Sequence, residues 1–336
     1  MDPGPRSPGR RPRIAALGGG TGLATLLRAL KRAPVDLTAI VTVADDGGSS
    51  GRLRRELGIL PPGDIRNCLV ALADDESLLG RLFQHRFADG DLSGHSFGNL
   101  FLAALSEVTG QFDLAIQECS RVLKINGRVL PSTLTEVSLR AEKGDGSVVA
   151  GESTIAAGRG HCRRVWLEPE PRAHGPALDA IRAADLVVLG PGSLFTSVLP
   201  HLAVPDLAEA IAGARAPKAY ICNVMTQPGE TGGFDASDHL ERVLEMLPGG
   251  VDVVVVHEGP LDPDTVAAYR AEGQEPVRAN YARLASSGVR TVAADLAEID
   301  AVVRHSPAAL AGVLLDLVMR APKPKKKDMQ RLPRTS

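Results

Sequence analysis

The chain has 336 residues, of which 44% are hydrophobic and only 3% aromatic, so it can form a large aliphatic core. It contains no run of ~20 apolar residues, which excludes a membrane-spanning helix, and no apolar segment precedes Arg13, which argues against a signal peptide. Residues 1–13 carry a formal charge of +3 and residues 320–336 one of +6. Because the net charge of the whole chain is -2, the residues between these two ends carry about -11. This negative charge argues against a specific nucleic-acid ligand.

The cysteine spacing and the two basic ends of the chain indicate the cellular compartment and the bounds of the folded domain. The 4 cysteines are scattered without CxxC spacing, so we predict neither a zinc site nor disulfides and expect a reducing cytoplasm. Residues 1–12 and the Pro-interrupted, Lys-rich residues 321–336 are expected to be disordered. We assign residues 13–320 to a single α/β domain.

The first predicted element is a strand that runs through glycines into a helix. Arg13–Leu17 is followed by Gly-Gly-Gly-Thr-Gly at residues 18–22, and Leu23–Lys31 has leucines at helical spacing. Free N–H groups and the helix dipole at such a turn favour a phosphate or diphosphate. The loop lacks both the Gly-Lys-Ser/Thr of a P-loop and the third glycine of the dinucleotide fingerprint, and the alternative is a tight turn without a ligand.

A second apolar run, Asp36–Val43, ends at a pair of carboxylates. Asp45 and Asp46 suit Mg²⁺, the hydroxyl groups of a sugar, or a general base, and the alternative is that one of them caps a helix or turn. Ser49 and Ser50 follow in a glycine-serine loop that resembles a second anion site, with three arginines close behind.

Four helices are predicted next: Asp64–Ala73, Leu78–Arg86, Phe97–Val108 and Phe112–Leu123. Asp64 stands where an N-cap belongs, so capping is the alternative to a role in binding. Asn99, near the start of the third helix, can bind the polar edge of a ligand.

Short β segments between about residues 128 and 168 predict a small β-rich insertion. Alternating strands and helices then resume, with predicted strands at Asp185–Leu189, Lys218–Val224, Val251–His257 and near Val289–Ala293, and a last helix over about Pro307–Met319. This alternation predicts a doubly wound, mostly parallel, Rossmann-like α/β sheet, in which ligands bind beyond the carboxyl ends of the strands.

Two later loops follow strands of that sheet. Gly190-Pro191-Gly192-Ser193 is a second glycine-hydroxyl loop, and two such loops suit a ligand with two phosphates. Asn223–Thr231 is polar without a basic residue, so it suits sugar or nucleoside hydroxyls better than phosphate.

These blocks together resemble the bacterial gluconeogenesis-factor family, which binds uridine-diphosphate sugars and supports cell-shape control. The matching segments run in order over about residues 13–320: Gly18–Leu23, Val43–Gly51, Pro62–Asn67, Gly94–Asn99, Val129–Ser132, Ala184–Ser193 and Cys222–Thr231. Seven ordered blocks are far more specific than any single glycine loop.

The sister family is 2-phospho-L-lactate transferase, which uses a metal. Its pattern resembles Pro-Asp-x-Asp ahead of a helix, whereas this chain has Gly63-Asp64-Ile65-Arg66, so that Arg66 replaces the second carboxylate. A cation there weakens a Mg²⁺ site and favours direct phosphate contact. We therefore expect a binding protein without catalytic or metal-binding residues. The alternative is a metal-dependent phosphotransferase. A nicotinamide-dependent dehydrogenase is less favoured, because the glycine spacing does not fit the dinucleotide-binding pattern.

The resemblance also implies that Tyr269 contacts the nucleotide and Arg304 the diphosphate; the alternatives are a half-buried helix tyrosine and a surface arginine. The predicted ligand-binding residues are then Gly18, Gly19, Gly20, Thr21, Gly22, Asp45, Asp46, Ser49, Ser50, Asp64, Arg66, Asn67, Asn99, Gly190, Gly192, Ser193, Asn223, Thr226, Tyr269 and Arg304. The implied function is a cytoplasmic regulatory factor for cell shape during gluconeogenic growth that binds UDP-N-acetylglucosamine or UDP-glucose. It requires no cofactor, with Mg²⁺ reserved for the transferase alternative, and its implied partners are proteins of cell-envelope synthesis, with a homo-oligomer left open.

Overall fold

The computed structural model describes residues 10–73, 78–299 and 303–320. The predicted disorder of the basic ends falls largely on residues 1–9 and 321–336, which lie outside the described residues. Arg10, at the start of the described chain, forms an ion pair of 2.6 Å with Asp185. No helix in the described ranges has both the length and the apolar composition that a membrane span needs.

The strands are, in chain order, β1 (Arg13–Gly18), β2 (Asp36–Val41), β3 (Arg128–Pro131), β4 (Ser138–Lys143), β5 (Val148–Ala150), β6 (Cys162–Glu168), β7 (Leu186–Leu189), β8 (Lys218–Ile221), β9 (Val253–His257), β10 (Arg290–Ala294), β11 (Ala297–Ile299) and β12 (Val303–His305).

The α-helices are α1 (Gly20–Leu30), α2 (Gly48–Leu57), α3 (Gly63–Leu72), α4 (Leu78–Gln84), α5 (Phe97–Thr109), α6 (Phe112–Val122), α7 (Glu152–Ala157), α8 (Gly175–Arg182), α9 (Leu199–Leu202), α10 (Pro205–Ala212), α11 (Ala236–Met246), α12 (Pro263–Ala271), α13 (Tyr281–Ser286) and α14 (Pro307–Arg320), and a π-helical segment spans Leu194–Val198.

Seven parallel strands form the main sheet in the order β10-β9-β8-β7-β1-β2-β3. All four residues of β7 are fully buried. Such aliphatic strands belong in a sheet that is covered on both faces, because neither face meets water. The predicted Rossmann-like α/β fold is thus confirmed.

The order of the strands creates one topological switch point. The chain goes from β1 outward through β2 to β3, and from β7 outward through β8 and β9 to β10. The connections that follow β1 and β7 therefore diverge from neighbouring strands, which leaves a crevice between them at the carboxyl edge of the sheet.

The β-rich insertion is a separate three-stranded antiparallel sheet in the order β5-β4-β6, and α7 lies between β5 and β6 in the chain. β3, which sequence analysis placed in the insertion, is instead the edge strand of the main sheet. The helices α2 to α6 form a crossover that returns the chain parallel to β2, so β3 can extend the main sheet. The insertion is fastened by Lys143, whose buried ammonium group donates to the carbonyl oxygens of Ile155 and Gly229.

Candidate functional site

A cleft of about 330 Å³ lies at the switch point, beyond the carboxyl ends of β1 and β7. Its walls come from loops that follow β1, β7, β8, β9 and β10, together with one residue of the insertion. Ten of the predicted ligand-binding residues line it: Gly19, Gly20, Thr21, Gly22, Gly192, Ser193, Asn223, Thr226, Tyr269 and Arg304.

The two glycine loops touch each other at the floor of the cleft. Gly22, in the first turn of α1, lies so close to the second loop that an added Cβ would be 2.7 Å from the carbonyl oxygen of Pro191 and 3.1 Å from the Cα of Gly192. Only a residue without a side chain allows this approach, which brings the start of α1 beside the loop that enters the π-helical segment. The backbone N–H groups at a helix start make such a place favourable for an anion.

The loop after β8 supplies polar acceptors to the same cleft. The side-chain oxygens of Asn223 and Gln227 are buried and have no hydrogen-bond partner among the described residues. The Nε2 of Gln227 donates to the Oγ of Ser193 over 2.7 Å, which holds the amide against the second glycine loop. Unpaired buried acceptors are costly, so these two oxygens are suited to the N–H and O–H groups of a ligand.

The opposite end of the cleft is formed by α12 and by the β11–β12 hairpin. The Tyr269 hydroxyl accepts a hydrogen bond of 2.7 Å from the backbone N–H of Val303, which fastens the hairpin to α12. The next residue, Arg304, is exposed and forms no ion pair within the described part of the chain. His305 donates through Nε2 to the carbonyl oxygen of Cys222 at 3.0 Å, and burial lowers the pKa of its imidazole to about 4. Arg304 is therefore the cationic side chain that the described chain offers to the cleft.

Gly18, the last residue of β1, and Gly190, the first residue after β7, each precede a residue that lines the cleft. The carbonyl oxygen of Gly18 accepts from Nε2 of the buried His201 at 3.1 Å, and Gly190 donates its N–H to the carbonyl oxygen of Leu17. They shape the two loops but do not line the cleft.

The predicted residues Ser49, Ser50 and Asn99 do not line the cleft either. α2 begins at Gly48, so Ser49 and Ser50 lie buried in its first turn. Ser49 shares hydrogen bonds with His95 and Asn99, and the Oγ of Ser50 accepts from the backbone N–H of Gly63. These contacts join α2 to α5 and α3, because the loop expected there is helical.

Asp64 lies just below the first glycine loop, and Asp45 lies beside Gly63, the residue before Asp64. An added Cβ at Gly19 would be 2.5 Å from Oδ2 of Asp64, and the backbone N–H of Gly20 hydrogen-bonds to the Asp64 carboxylate. Burial, and then the charge of Asp45, raise the pKa of Asp64 to about 6. Asp64 follows the first residue of α3 and is not its N-cap, which is Pro62. It supports the glycine loop from outside the cleft.

Arg66 and Asn67 pair with each other, Nη2 to Oδ1 over 2.7 Å, and neither lines the cleft. Burial and the nearby charge of Arg86 lower the pKa of Arg66. Within the described ranges its Nε has no hydrogen-bond partner. The structure thus places Arg66 beside the carboxylates but outside the group of residues that surround the cleft.

Sequence analysis missed two carboxylates. Glu152, the first residue of α7, lines the cleft. Glu230 is 1% exposed; it accepts from the backbone N–H of Phe195 at 3.0 Å and from Oγ1 of Thr196, and burial raises its pKa to about 7. The Glu230 carboxylate therefore accepts hydrogen bonds from residues at the start of the π-helical segment. No local signal marks Glu152, because its place depends on how the insertion docks, whereas a lone acid in the otherwise uncharged Asn223–Thr231 segment could have singled out Glu230.

Among the described residues, no group of three or more His, Cys, Asp or Glu is arranged to hold a metal ion.

Comparisons with known proteins show what the whole chain is similar to. The family model described as 2-phospho-L-lactate transferase CofD matches residues 14–297. The gluconeogenesis factor of Bacillus subtilis is 49% identical over 92% of this chain and 99% of that protein, and the gluconeogenesis factor of Halalkalibacterium halodurans is 49% identical over 91% and 97%. The crystal structure of a UPF0052 family member from Bacillus halodurans superimposes with a TM-score of 0.88 at 48% identity, over 91% of this chain and 99% of that one.

Proposed function

Because the chain belongs to the gluconeogenesis factor family, and matches the 2-phospho-L-lactate transferase family model over most of its length, we propose that its cleft binds a uridine-diphosphate sugar. The ligand is UDP-N-acetylglucosamine or UDP-glucose. The protein acts as a cytoplasmic regulatory factor that couples the supply of this nucleotide sugar to cell shape during gluconeogenic growth, through protein partners in envelope synthesis.

The observation that carries the proposal is the meeting of two helix-entry loops at Gly22 and Gly192. The start of α1 offers backbone N–H groups to an anion at this place. The second loop lies against it and leads into the π-helical segment, where the N–H of Phe195 already bonds to Glu230. The guanidinium of Arg304 adds a positive charge at the rim, and Arg pairs well with phosphate because its N–H groups form a planar fork.

The nucleoside is assigned to the end of the cleft beyond β8 and β9. The Tyr269 ring offers a stacking surface for uracil, and stacking of this kind is worth ~1–3 kcal/mol per base in nucleic-acid sites. The unpaired oxygens of Asn223 and Gln227 accept from uracil N–H or ribose O–H groups. These contacts favour uridine over a nucleotide whose base presents no donor there.

Isothermal titration calorimetry tests the binding. We expect UDP-N-acetylglucosamine or UDP-glucose to bind, UDP to bind more weakly, and uridine and NAD weakest, with and without Mg²⁺. The matched control for Arg304→Ala is Arg270→Ala, since Arg270 is also exposed but does not line the cleft. Preference for NAD, or no binding of any uridine diphosphate, would contradict the proposal. The proposed regulatory role is tested in a bacterium that lacks its own gluconeogenesis factor and grows on a gluconeogenic carbon source. We expect Arg270→Ala to restore cell shape there and Arg304→Ala to fail.

A second candidate function is a phosphotransferase, and the pairing of Asp45 with Asp64 favours it. The charge of Asp45 raises the pKa of Asp64, and the Asp64 carboxylate lies directly below Gly19 of the first glycine loop. Together they would supply oxygen ligands to a Mg²⁺ ion. Incubation with UDP-sugars or phosphorylated donors, Mg²⁺ and candidate acceptors should leave all of them unchanged by mass spectrometry. Turnover that is lost in Asp45→Asn or Asp64→Asn would establish the transferase instead.

A further inference from the structure

The short helix α7 is held against the loop that follows β2. Oδ1 of Asp46 accepts hydrogen bonds from the backbone N–H of Ser153 at 2.9 Å and from its hydroxyl at 2.6 Å. Gly151 has a φ of +92, and an added Cβ there would collide with Oδ2 of Asp46. Asp46, which sequence analysis predicted to touch the ligand, therefore fixes the start of α7.

This fastening places Glu152 in the wall of the cleft. Its Oε2 is buried and has no hydrogen-bond partner among the residues that the structure describes. Burial, and then the charges of Asp64, Asp45, Glu230 and Asp46, raise its pKa well above the usual range. A carboxyl group that holds its proton can both donate and accept a hydrogen bond.

The order of the strands indicates which part of a ligand Glu152 meets. Tyr269 belongs to the connection after β9, the two glycine loops follow β7 and β1, and Asp46 follows β2. Neighbouring strands lie ~4.8 Å apart, so β9 and β2 are separated by roughly 19 Å, with the diphosphate loops between them. A ligand with its base at Tyr269 and its diphosphate at the glycine loops extends its remaining part toward Glu152.

We propose that Glu152 is a specificity-determining residue that hydrogen-bonds a hydroxyl group of the sugar on the bound nucleotide, and that Asp46 positions it. This inference rests on the proposed binding of a nucleotide sugar. It assigns the β-rich insertion a role in binding, because among the described residues Glu152 is the part of the insertion that lines the cleft.

Calorimetry on the full chain tests this assignment with UDP, UDP-glucose, UDP-galactose and UDP-N-acetylglucosamine. Glu152→Ala should leave the affinity for UDP within about twofold and weaken the preferred UDP-sugar about tenfold, which brings it close to UDP. Glu152→Gln, which keeps both a donor and an acceptor, should retain most of the affinity. Asp46→Ala should lower the affinity for the sugar in the same direction, and Glu170→Ala, at an exposed carboxylate away from the cleft, should change neither affinity.

Thermal unfolding separates binding from folding. Glu152→Ala removes a buried carboxyl group from among other carboxyl groups, so its melting temperature should equal or exceed that of the parent. Equal losses for UDP and UDP-sugar, or no loss for either, would overturn the role of Glu152 while leaving the proposed function intact. If the parent binds neither UDP nor any UDP-sugar, the proposed function itself fails.

Discussion

The contact between the two glycine loops predicts a specific effect of Gly22→Ala. The new Cβ would lie 2.7 Å from the Pro191 carbonyl oxygen, whereas a relaxed C···O contact is ~3.3–3.6 Å. The loops must therefore separate by about 0.6 Å or more. Overpacking of this kind costs ~1–3 kcal/mol, and the better helix propensity of alanine returns up to ~1 kcal/mol, so the free energy of unfolding should fall by about 0–3 kcal/mol.

The same displacement should affect ligand binding more than stability. A misplacement of 1 Å can cost ~100-fold in a preorganised site, so a shift of about half that size should weaken UDP-sugar binding about tenfold. Urea unfolding and titration calorimetry measure the two quantities on one preparation.

Gly175→Ala provides the matched control. Gly175 is the first residue of α8, and nothing lies within 4 Å of an added Cβ. Alanine there should leave both stability and affinity unchanged or slightly raise stability. If Gly22→Ala binds the UDP-sugar as tightly as the parent does, the two loops do not form a joint phosphate site and the reasoning is refuted.

Three further results are expected. Arg304→Ala should weaken UDP-sugar binding about ten- to a hundredfold, since a charge-assisted hydrogen bond contributes ~1.5–3 kcal/mol, and it should weaken uridine binding far less; equal losses would indicate a structural role. Tyr269→Phe keeps the ring but removes the acceptor for the Val303 N–H, so calorimetry should show a several-fold loss that is smaller when Arg304 is already alanine; full additivity would show that the hairpin is positioned by other contacts. Because the pKa of Glu230 rises from 4.5 to about 7 on folding, the folded state binds the extra proton between these values and stability falls as pH rises through them; urea unfolding of Glu230→Gln should lack this slope, and an unchanged pH profile would contradict the assignment.

The main sheet could be predicted from the sequence because its strands have a pattern that few other structures share. Runs such as Leu186–Leu189 are apolar at every position, which suits burial on both faces, and glycines follow directly where the chain must turn into a helix. The glycine loops were found for the same reason. Their chemistry is local, and a switch point necessarily brings the ends of neighbouring strands together.

The roles of Asp46, Ser49 and Asn99 could not be predicted in this way. Each has a side chain that suits a ligand, but each also suits a neighbouring element of the protein, and the choice depends on distant packing. Asp46 bonds to Ser153, 107 residues later in the chain, and Ser49 bonds to His95 and Asn99 after two intervening helices. Glu152 was not predicted because its position follows from the long-range contact between Asp46 and Ser153.

The central pairing of β1 with β7 also has a consequence for how the protein reaches its native state. Arg13 and Asp185, which meet at the start of these strands, are separated by 172 residues. Contacts between such distant parts of a chain form slowly, because the loop that joins them must first be closed. During synthesis the first glycine loop cannot contact the second until more than half of the polypeptide has left the ribosome. A shortened chain that ends before Gly190 can pair β1 with β2 and β2 with β3, but it lacks every wall of the cleft that follows β7, so we expect it not to bind the proposed ligand.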